Sequence, residues 1–503
     1  MGGNKEIIMK TMKKRNAKPK GKPRQPRKKM SVLFVAAEAA PFIRTGGLGD
    51  VAGALPRALA KSGVDVRVVI PLYQDIPDKL RQTLSFVTYT YVPLSWRNQY
   101  CGVYEGEANG VKYYFIDNEY YFKRGGLYGH YDDGERFAFF SKAVLEMLML
   151  IDFKPDVIHC NDWQTALVPV FLDCFYRGNA IYRDIRTVYS IHNIEFQGQY
   201  DKYMIGDVLG IPSQRSSLLE YAGCCNYMKG GIECSDRVTT VSPTYASEIM
   251  DSYYAYGLED ILRQRAYKIS GIINGIDTAE YDPMTDKALF ANYGVKDMSG
   301  KEVNKESVLR LISLQYVPTR PMISMVSRLT SQKGLDLVLD VAEELLAADV
   351  QLVVLGMGDW KYETRLKDLE HRYGNKLRVI INFSKDLASK IYAASDIFLM
   401  PSKFEPCGLS QMIAMRYGTV PVVRETGGLK DSVPAFNPMT KEGVGFTFKT
   451  FNAQDMLGAI WRAVDTYYNN KSDWGIIVKN GMTKDFSWSA SAKNYAELYK
   501  SLK

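Results

Sequence analysis

The sequence predicts an α/β protein of two domains, each with a parallel sheet that helices cover on both faces. The first observation is a glycine-rich motif that occurs twice, as TGGLGD at 45–50 and as TGGLKD at 426–431. The second is the alternation of short apolar segments with helix-period segments in both halves of the chain. The third is length, because 503 residues exceed what one hydrophobic core usually organises.

The first domain is predicted over residues 30–270 and opens with a strand, a glycine-rich loop, a helix and a second strand. The apolar segment 31–37 is typical of a buried strand, and VDVRVVI at 64–70 supplies the next one. An aromatic-rich stretch at 100–140 predicts hairpins and a long loop. Four further strands are predicted at 156–160, 187–191, 236–242 and 268–277.

The second domain is predicted over residues 271–480, with polar and weakly patterned sequence at 271–320 as its boundary. The remaining segment, 481–503, predicts a C-terminal helix that packs back toward the N-terminal domain, with Ser489 or Ser491 near its N-cap. The strands of the second domain are predicted at 322–327, 351–355, 377–382, 397–400 and 419–423.

Composition is that of a globular protein, with 46% hydrophobic and 24% charged residues. No run of about 18 apolar residues occurs, so the sequence predicts no membrane span. The seven cysteines are an odd number in a long chain, which favours reduced thiols and a cytoplasmic enzyme. Four histidines and the adjacent pair Cys224-Cys225 lack zinc-ligand spacing, so no metal site is expected.

The basic segment at residues 1–29 accounts for more than the whole net charge of the chain. It holds 12 Lys/Arg and one Glu, so the rest of the chain is slightly acidic although the total is +8. Because it has few apolar residues, it is predicted to be disordered. It is either a solvated extension or an electrostatic contact for nucleic acid, a ribosome or an acidic partner. A secretory signal is disfavoured because an apolar region is missing.

Polar side chains follow several predicted strands at the point where each strand ends. In open α/β sheets, ligands bind beyond the carboxyl ends of the strands. Two such edges that face each other would form a cleft between the domains. The residues in these positions are Asn161, Asp162, His192, Asn193, Arg328, Lys333 and Glu405.

Each of these residues also has an ordinary structural interpretation. Arg328 and Lys333 are either surface charges at a helix end or the cations that a diphosphate leaving group needs. Asp162 is either a helix cap or a site carboxylate, and His192 is either a core histidine or a site residue. Glu405 precedes the rigid turn PCGLS, whose N–H groups are free to bind an anion or a hydroxyl.

Together with the two glycine motifs, which are expected to bind anions, this set suits transfer of a carbohydrate-like group from a nucleotide diphosphate. A Walker-type kinase is disfavoured because the sequence contains no GxxxxGK[ST]. A nicotinamide dehydrogenase is disfavoured because no GxGxxG follows the first strand.

Seven motifs occur along the chain in this order: RTGGLGDV (44–51), HCNDWQTA (159–166), IHNIEFQG (191–198), INGID (273–277), SRLTSQKG (327–334), EPCGLSQMIAMRYG (405–418) and TGGLKDSV (426–433). With these motifs, the chain from residue 31 to the C-terminus resembles the bacterial glycogen synthase and plant starch synthase family. This resemblance implies the GT-B architecture, in which two Rossmann-like, doubly wound domains face each other across a deep cleft. It also implies retaining transfer of glucose from ADP-glucose to the non-reducing-end 4-hydroxyl of an α-1,4-glucan such as glycogen or starch, with no metal ion or other cofactor.

The resemblance also implies a role for individual residues. Arg328 and Lys333 match the pair that neutralises the donor diphosphate, and Glu405 matches the carboxylate that orients the glucose hydroxyls. His192 matches the histidine at the sugar, and Asp162 matches an acidic residue on the acceptor side. An acceptor-side aromatic is matched by Tyr128. The other residues matched to donor binding are Arg44, Gly46, Gly47, Asn274, Cys407, Gly408, Leu409 and Ser410.

The chain departs from the family pattern at three positions. Arg44 stands where Lys is usual, which keeps the charge but presents a planar fork. Asn161 replaces a frequent His, and Gly134 stands where Asn is frequent. Ile413, in contrast, separates the chain from the broader GT-B enzymes that resemble sucrose synthase, which carry a second Glu at that position, and this favours the ADP-glucose branch.

Two other functions stay open from the sequence. One is a UDP-sugar-dependent glycosyltransferase on the same GT-B fold. The other is a non-catalytic glucan-binding protein that kept the fold and lost the chemistry.

Overall fold

The computed structural model describes residues 29–503. The predicted basic tail at 1–29 therefore lies outside the described residues, apart from Lys29. The strands are β1 (Ser31–Val35), β2 (Asp65–Pro71), β3 (Ser85–Leu94), β4 (Arg97–Ala108), β5 (Val111–Asp117), β6 (Val157–Asn161), β7 (Arg186–Ile191), β8 (Gln199–Asp201), β9 (Glu220–Tyr221), β10 (Cys224–Asn226), β11 (Arg237–Thr240), β12 (Ile269–Gly271), β13 (Met322–Val326), β14 (Gln351–Gly356), β15 (Leu377–Ile381), β16 (Ile397–Met400), β17 (Val420–Arg424) and β18 (Phe446–Phe448).

Helices connect most of these strands. They are α1 (Gly47–Lys61), α2 (Asp78–Arg81), α3 (Glu119–Phe122), α4 (Asp133–Leu148), α5 (Leu167–Phe171), α6 (Met204–Asp207), α7 (Tyr227–Cys234), α8 (Pro243–Glu248), α9 (Glu259–Gln264), α10 (Ser299–Leu311), α11 (Leu335–Ala347), α12 (Trp360–Arg372), α13 (Lys385–Ala394), α14 (Ser410–Arg416), α15 (Gly427–Ser432), α16 (Ala453–Asn469), α17 (Lys471–Thr483) and α18 (Trp488–Lys500). Among the described residues, no helix is both long enough and apolar enough to cross a bilayer.

The N-terminal domain is built on a sheet with the strand order β12-β11-β7-β6-β1-β2-β5-β4-β3. Its strands pair in parallel except along β4, which is antiparallel to both β3 and β5. All five residues of β1 are buried, as expected of a central parallel strand covered on both faces. The aromatic-rich stretch at 100–140 thus forms the β4–β5 hairpin, a loop and the start of α4.

The C-terminal domain is built on a fully parallel sheet with the order β15-β14-β13-β16-β17-β18. Helices of high apolar content such as α11 pack their buried side chains into its core. A sheet wound with helices, fully parallel in the C-terminal half and mostly parallel in the N-terminal half, confirms the predicted fold class.

The chain passes between the domains twice, and the two crossings meet. Ile276 on the first crossing forms a parallel bridge with Ser487 on the second. Helix α18 then packs against α1 of the N-terminal domain, and the Tyr499 hydroxyl lies 2.7 Å from Nδ1 of the buried His159. The N-cap of α18 is Ser487 rather than Ser489 or Ser491, because the helix begins earlier than its apolar pattern indicates.

Candidate active site

The carboxyl edge of the C-terminal sheet brings a predicted cation and a predicted carboxylate into contact. Lys333 follows β13, Glu405 follows the neighbouring strand β16, and Lys333 Nζ lies 2.5 Å from Glu405 Oε2. The Ser402 hydroxyl donates to the same carboxylate oxygen at 3.0 Å. Both charged side chains are mostly buried, with 14% and 9% exposure, so each needs the other as a partner.

Arg328 lies on the same edge, directly after β13, and its side chain is exposed. Within residues 29–503, its guanidinium makes no hydrogen bond or ion pair with another side chain. It is therefore a cation available to an anionic ligand at this edge.

The turn after Glu405 contains the predicted donor-side backbone. Burial raises the pKa of the Cys407 thiol to about 12, so the thiol stays protonated and is not a nucleophile. The backbone N–H of Asn274 lies near this thiol and favours its ionised form, which places the first interdomain crossing beside the turn. Gly408 has φ +69°, and Leu409 and Ser410 lead into α14.

Asn274 itself is 6% exposed, and its Oδ1 accepts no hydrogen bond within the described part of the chain. A buried amide oxygen without a donor is expensive, and such atoms are usually satisfied by a ligand or water. Its place beside the turn makes it a candidate acceptor for a ligand hydroxyl.

In the N-terminal domain, Asp162 follows β6 in a strained backbone conformation, with φ +57° and ψ 179°. Its Oδ1 accepts hydrogen bonds from the backbone N–H groups of His192 at 2.7 Å and Asn193 at 3.4 Å. Burial nevertheless raises the pKa of this carboxyl to about 7. Strain of this kind is concentrated at functional sites.

The side chain of His192 is held by Asn161. Asn161 Nδ2 donates to the carbonyls of Val35 and His159, so its Oδ1 faces His192 Nε2 at 2.9 Å. Burial lowers the pKa of His192 to about 4, so the ring is neutral at pH 7 and Nε2–H is the donor. Asn161, a departure from the family pattern, thus fixes the tautomer of His192.

Tyr128 lies close to Asp162 and to a second carboxylate, Glu38. Burial, and to a smaller extent the charges of Glu38 and Asp162, raise the pKa of the Tyr128 phenol. Its ring packs on Phe137 at 6.1 Å between centroids. The predicted acceptor-side residues Asp162 and Tyr128 are therefore near enough to interact electrostatically.

Glu38 is a site residue that the sequence reasoning missed. It follows β1 by three residues, is 3% exposed, and accepts hydrogen bonds from the backbone N–H and the hydroxyl of Thr45. These hydrogen bonds hold the first glycine loop at Thr45. Gly46 and Gly47 stay exposed, and a Cβ added to either would meet no described atom within 4 Å. The rule that ligands bind beyond strand ends could have identified Glu38.

Arg44 precedes that loop and pairs with Asp50 of α1 at 2.5 Å. Both line a cavity of about 300 Å³ that also includes Tyr281 and Leu409. The predicted donor-binding residues Arg44 and Leu409 therefore border one space between the domains.

The second glycine motif differs from the expectation that it binds a ligand anion. Thr426, Gly427 and Gly428 are buried, and a carboxylate of the protein, that of Glu248, accepts the N–H of Gly427. The two motifs have similar sequences but lie in different surroundings.

Among residues 29–503, no three His, Cys, Asp or Glu side chains cluster as metal ligands.

The raised pKa of Asp162 predicts a pH-dependent stability. Between about pH 4 and pH 7 the folded protein holds a proton that an ordinary aspartate releases, so the unfolding free energy falls as pH rises. Asp162→Asn can still accept the two backbone hydrogen bonds but does not titrate. Its stability relative to wild type should grow by up to about 1.4 kcal/mol per pH unit across that window.

Thermal unfolding of both proteins at pH 4.5 and 7.5 measures this difference. Asp65→Asn, at an exposed position on β2, is the control. A stability difference that is the same at both pH values would contradict the assignment.

Both domains of the chain are similar to known proteins. A family model described as starch synthase catalytic domain matches residues 31–264, and one described as glycosyl transferases group 1 matches residues 313–475. A glycogen synthase of Clostridium botulinum is 51% identical over 476 residues, which is 94% of this chain and 99% of the relative. A glycogen synthase of Bacillus cereus is 50% identical over 475 residues, which is 94% of this chain and 100% of the relative.

Among solved structures, the fold is similar to the catalytic domain of starch synthase IV from Arabidopsis thaliana bound to ADP and acarbose. The TM-score is 0.86 with 35% identity, over 94% of this chain and 99% of that chain. The resemblance expected from the motifs is confirmed, and so is the GT-B arrangement. This chain belongs to the glycogen and starch synthase family of glycosyltransferases.

Proposed function

We propose that this protein elongates an α-1,4-glucan by transferring glucose from ADP-glucose to the 4-hydroxyl at the non-reducing end, with retention at the anomeric carbon. The observation that carries the proposal is the Lys333–Glu405 contact of 2.5 Å beside the available cation Arg328. A cation pair suits a diphosphate, and a carboxylate suits sugar hydroxyls, so both halves of a nucleotide sugar have partners at one edge.

The leaving diphosphate is stabilised by the cations of the cleft. Arg328 and Lys333 meet its charge from the C-terminal domain, and Arg44 with the amides of Gly46 and Gly47 meets it from the N-terminal domain. These contacts strengthen as negative charge develops on the leaving oxygen, which lowers the barrier. The protein's own cations thus supply the charge stabilisation, and we propose that no metal ion or other cofactor is needed.

The glucose unit is held by the turn that follows Glu405. The Glu405 carboxylate accepts hydrogen bonds from sugar hydroxyls, and the unpartnered Oδ1 of Asn274 adds a further acceptor. The backbone of Cys407, Gly408, Leu409 and Ser410 lines the sugar and phosphate. The main-chain oxygen of His192 faces the positive charge that develops at the anomeric carbon.

The acceptor approaches from the N-terminal domain, where Tyr128 and Asp162 lie together. The bond between the anomeric carbon and the diphosphate oxygen breaks, and the acceptor 4-oxygen attacks on the same face. Its proton passes to the departing phosphate oxygen. Closing the cleft excludes water, which would otherwise hydrolyse the donor.

The base of the donor has a candidate partner in Phe383, which the sequence reasoning missed. Phe383 follows β15 and is 85% exposed. Strand β15 lies two strands, or about 10 Å, from β13, so Phe383 and Arg328 follow strands of the same sheet edge at a comparable separation. That span suits a diphosphate on Arg328 and a stacked purine on Phe383.

We place the reaction in the cytoplasm, because all seven cysteines are unpaired thiols.

The function is tested by incubating the protein with glycogen and either ADP-glucose or UDP-glucose, with and without chelator. We expect ADP release with lengthening of glucan chains, a clear preference for ADP-glucose, and no effect of chelator. Phe383→Ala should weaken ADP binding. Faster turnover of UDP-glucose would favour the UDP-sugar alternative, and absence of turnover with glucan binding retained would favour the non-catalytic one.

Lys333→Ala should lower kcat/KM for the donor, with a loss of transition-state stabilisation of about 2–4 kcal/mol, because it removes a charge that stabilises the transition state. Steady-state kinetics with varied ADP-glucose measure the effect. Lys493→Ala, an exposed lysine on α18, is the matched control and should behave as wild type. Unchanged kinetics of the Lys333 variant would refute its role at the diphosphate.

Glu405→Ala should abolish most transfer while the affinity for ADP stays nearly constant, because the carboxylate contacts the sugar rather than the diphosphate. Isothermal titration with ADP separates the two effects from the rate of transfer. If the variant also loses ADP binding, the carboxylate instead holds Lys333 in place.

A further inference from the structure

The second glycine motif lies directly under the turn that carries Glu405. A Cβ added to Gly427 would overlap the carbonyl oxygen of Glu405, and one added to Gly428 would overlap the backbone of Cys407. The N–H of Gly428 is shared between the carbonyls of Glu405 and Pro406, at 3.1 Å each. The backbone position of the turn is therefore set by the start of α15.

The start of α15 is in turn held from the other domain. Glu248, the last residue of α8, reaches across the cleft and accepts the N–H of Gly427 with both carboxylate oxygens at 3.0 Å. Its Oε1 also accepts the Thr426 hydroxyl at 2.9 Å.

A reciprocal contact runs in the opposite direction. Asp431 on α15 accepts the backbone N–H of Thr244 at 2.8 Å and its hydroxyl at 2.6 Å, at the start of α8. The Ser242 hydroxyl donates to the Pro406 carbonyl at 2.7 Å. Each short helix thus has one backbone N–H of its first turn bound by a carboxylate from the other helix.

We propose that Glu248 is a positioning residue for the transfer reaction, a role that rests on the proposed function. It touches no reacting atom. Its carboxylate fixes Thr426 and Gly427, the adjoining amide of Gly428 fixes the Glu405 carbonyl, and the Glu405 side chain is thereby held at Lys333. Docking of the N-terminal domain and placement of the sugar-binding carboxylate are therefore coupled through the same contacts.

The test compares Glu248→Ala with Glu248→Gln, with Ser247→Ala on the exposed side of the same helix as control. Loss of the carboxylate should lower kcat on the order of 100-fold, the scale of a small misplacement at the reacting centre. The Kd for ADP should change less than about threefold, because the diphosphate contacts remain. Glutamine should restore most of kcat, because one Oε1 can accept from both Gly427 and Thr426, as it does here.

A second measurement does not depend on activity. Hydrogen–deuterium exchange of the amides in 405–410 and 427–429 should be faster in Glu248→Ala and near wild type in Glu248→Gln and Ser247→Ala. If wild type does not use ADP-glucose, the proposed function fails, while the exchange data still judge the role of Glu248.

Unchanged exchange in Glu248→Ala, a kcat within about twofold of wild type, or a glutamine variant as impaired as the alanine one would overturn the proposal. If the alanine variant does not fold, Thr426→Val and Thr426→Ser replace it. Valine removes the hydroxyl that donates to Glu248 and should lower kcat, whereas serine keeps that hydroxyl and should not.

Discussion

The close approach of the Glu405 turn to the Gly427–Gly428 backbone is the constraint on which the rest of the cleft depends. The turn follows β16 and the glycine pair follows β17, and these strands are neighbours in a parallel sheet, so both segments emerge side by side. Only residues without a Cβ fit the space between them. A larger residue would displace the turn and separate Glu405 from Lys333, leaving two mostly buried charges without partners.

Two polar groups on the N-terminal side of the cleft carry less charge at pH 7 than they would in water. His192 is kept uncharged by burial, and Asp162 titrates near neutrality. The strained backbone of Asp162 is maintained by the hydrogen bonds around it, as is common where function overrides local preference.

Much of the fold could be predicted because parallel strands buried on both faces leave short apolar runs in the sequence. The run 397–400 corresponds to β16 in full, and most others differ by one or two residues at an end. The antiparallel strands β3 and β4 were harder to predict, because their exposed tyrosines Tyr89, Tyr91 and Tyr100 resemble a loop composition. The rule that ligands bind beyond strand ends needs only the positions of the strands, and it predicted that Arg328 and Glu405 lie at one edge. Their contacts, in contrast, depend on side-chain packing that no local pattern records.

The two glycine motifs show most clearly what the sequence could not distinguish. In both motifs, a glutamate accepts a hydrogen bond from the threonine hydroxyl. Glu38 lies only seven residues before Thr45 in the sequence, whereas Glu248 belongs to the other domain. The local glutamate leaves the neighbouring glycines exposed to a ligand, whereas the motif held across the domains has its glycines covered by the Glu405 turn. The same four residues therefore leave their glycines exposed in one half and take part in domain docking in the other. Long-range contacts decide which, because a missing Cβ permits close approach without specifying what approaches.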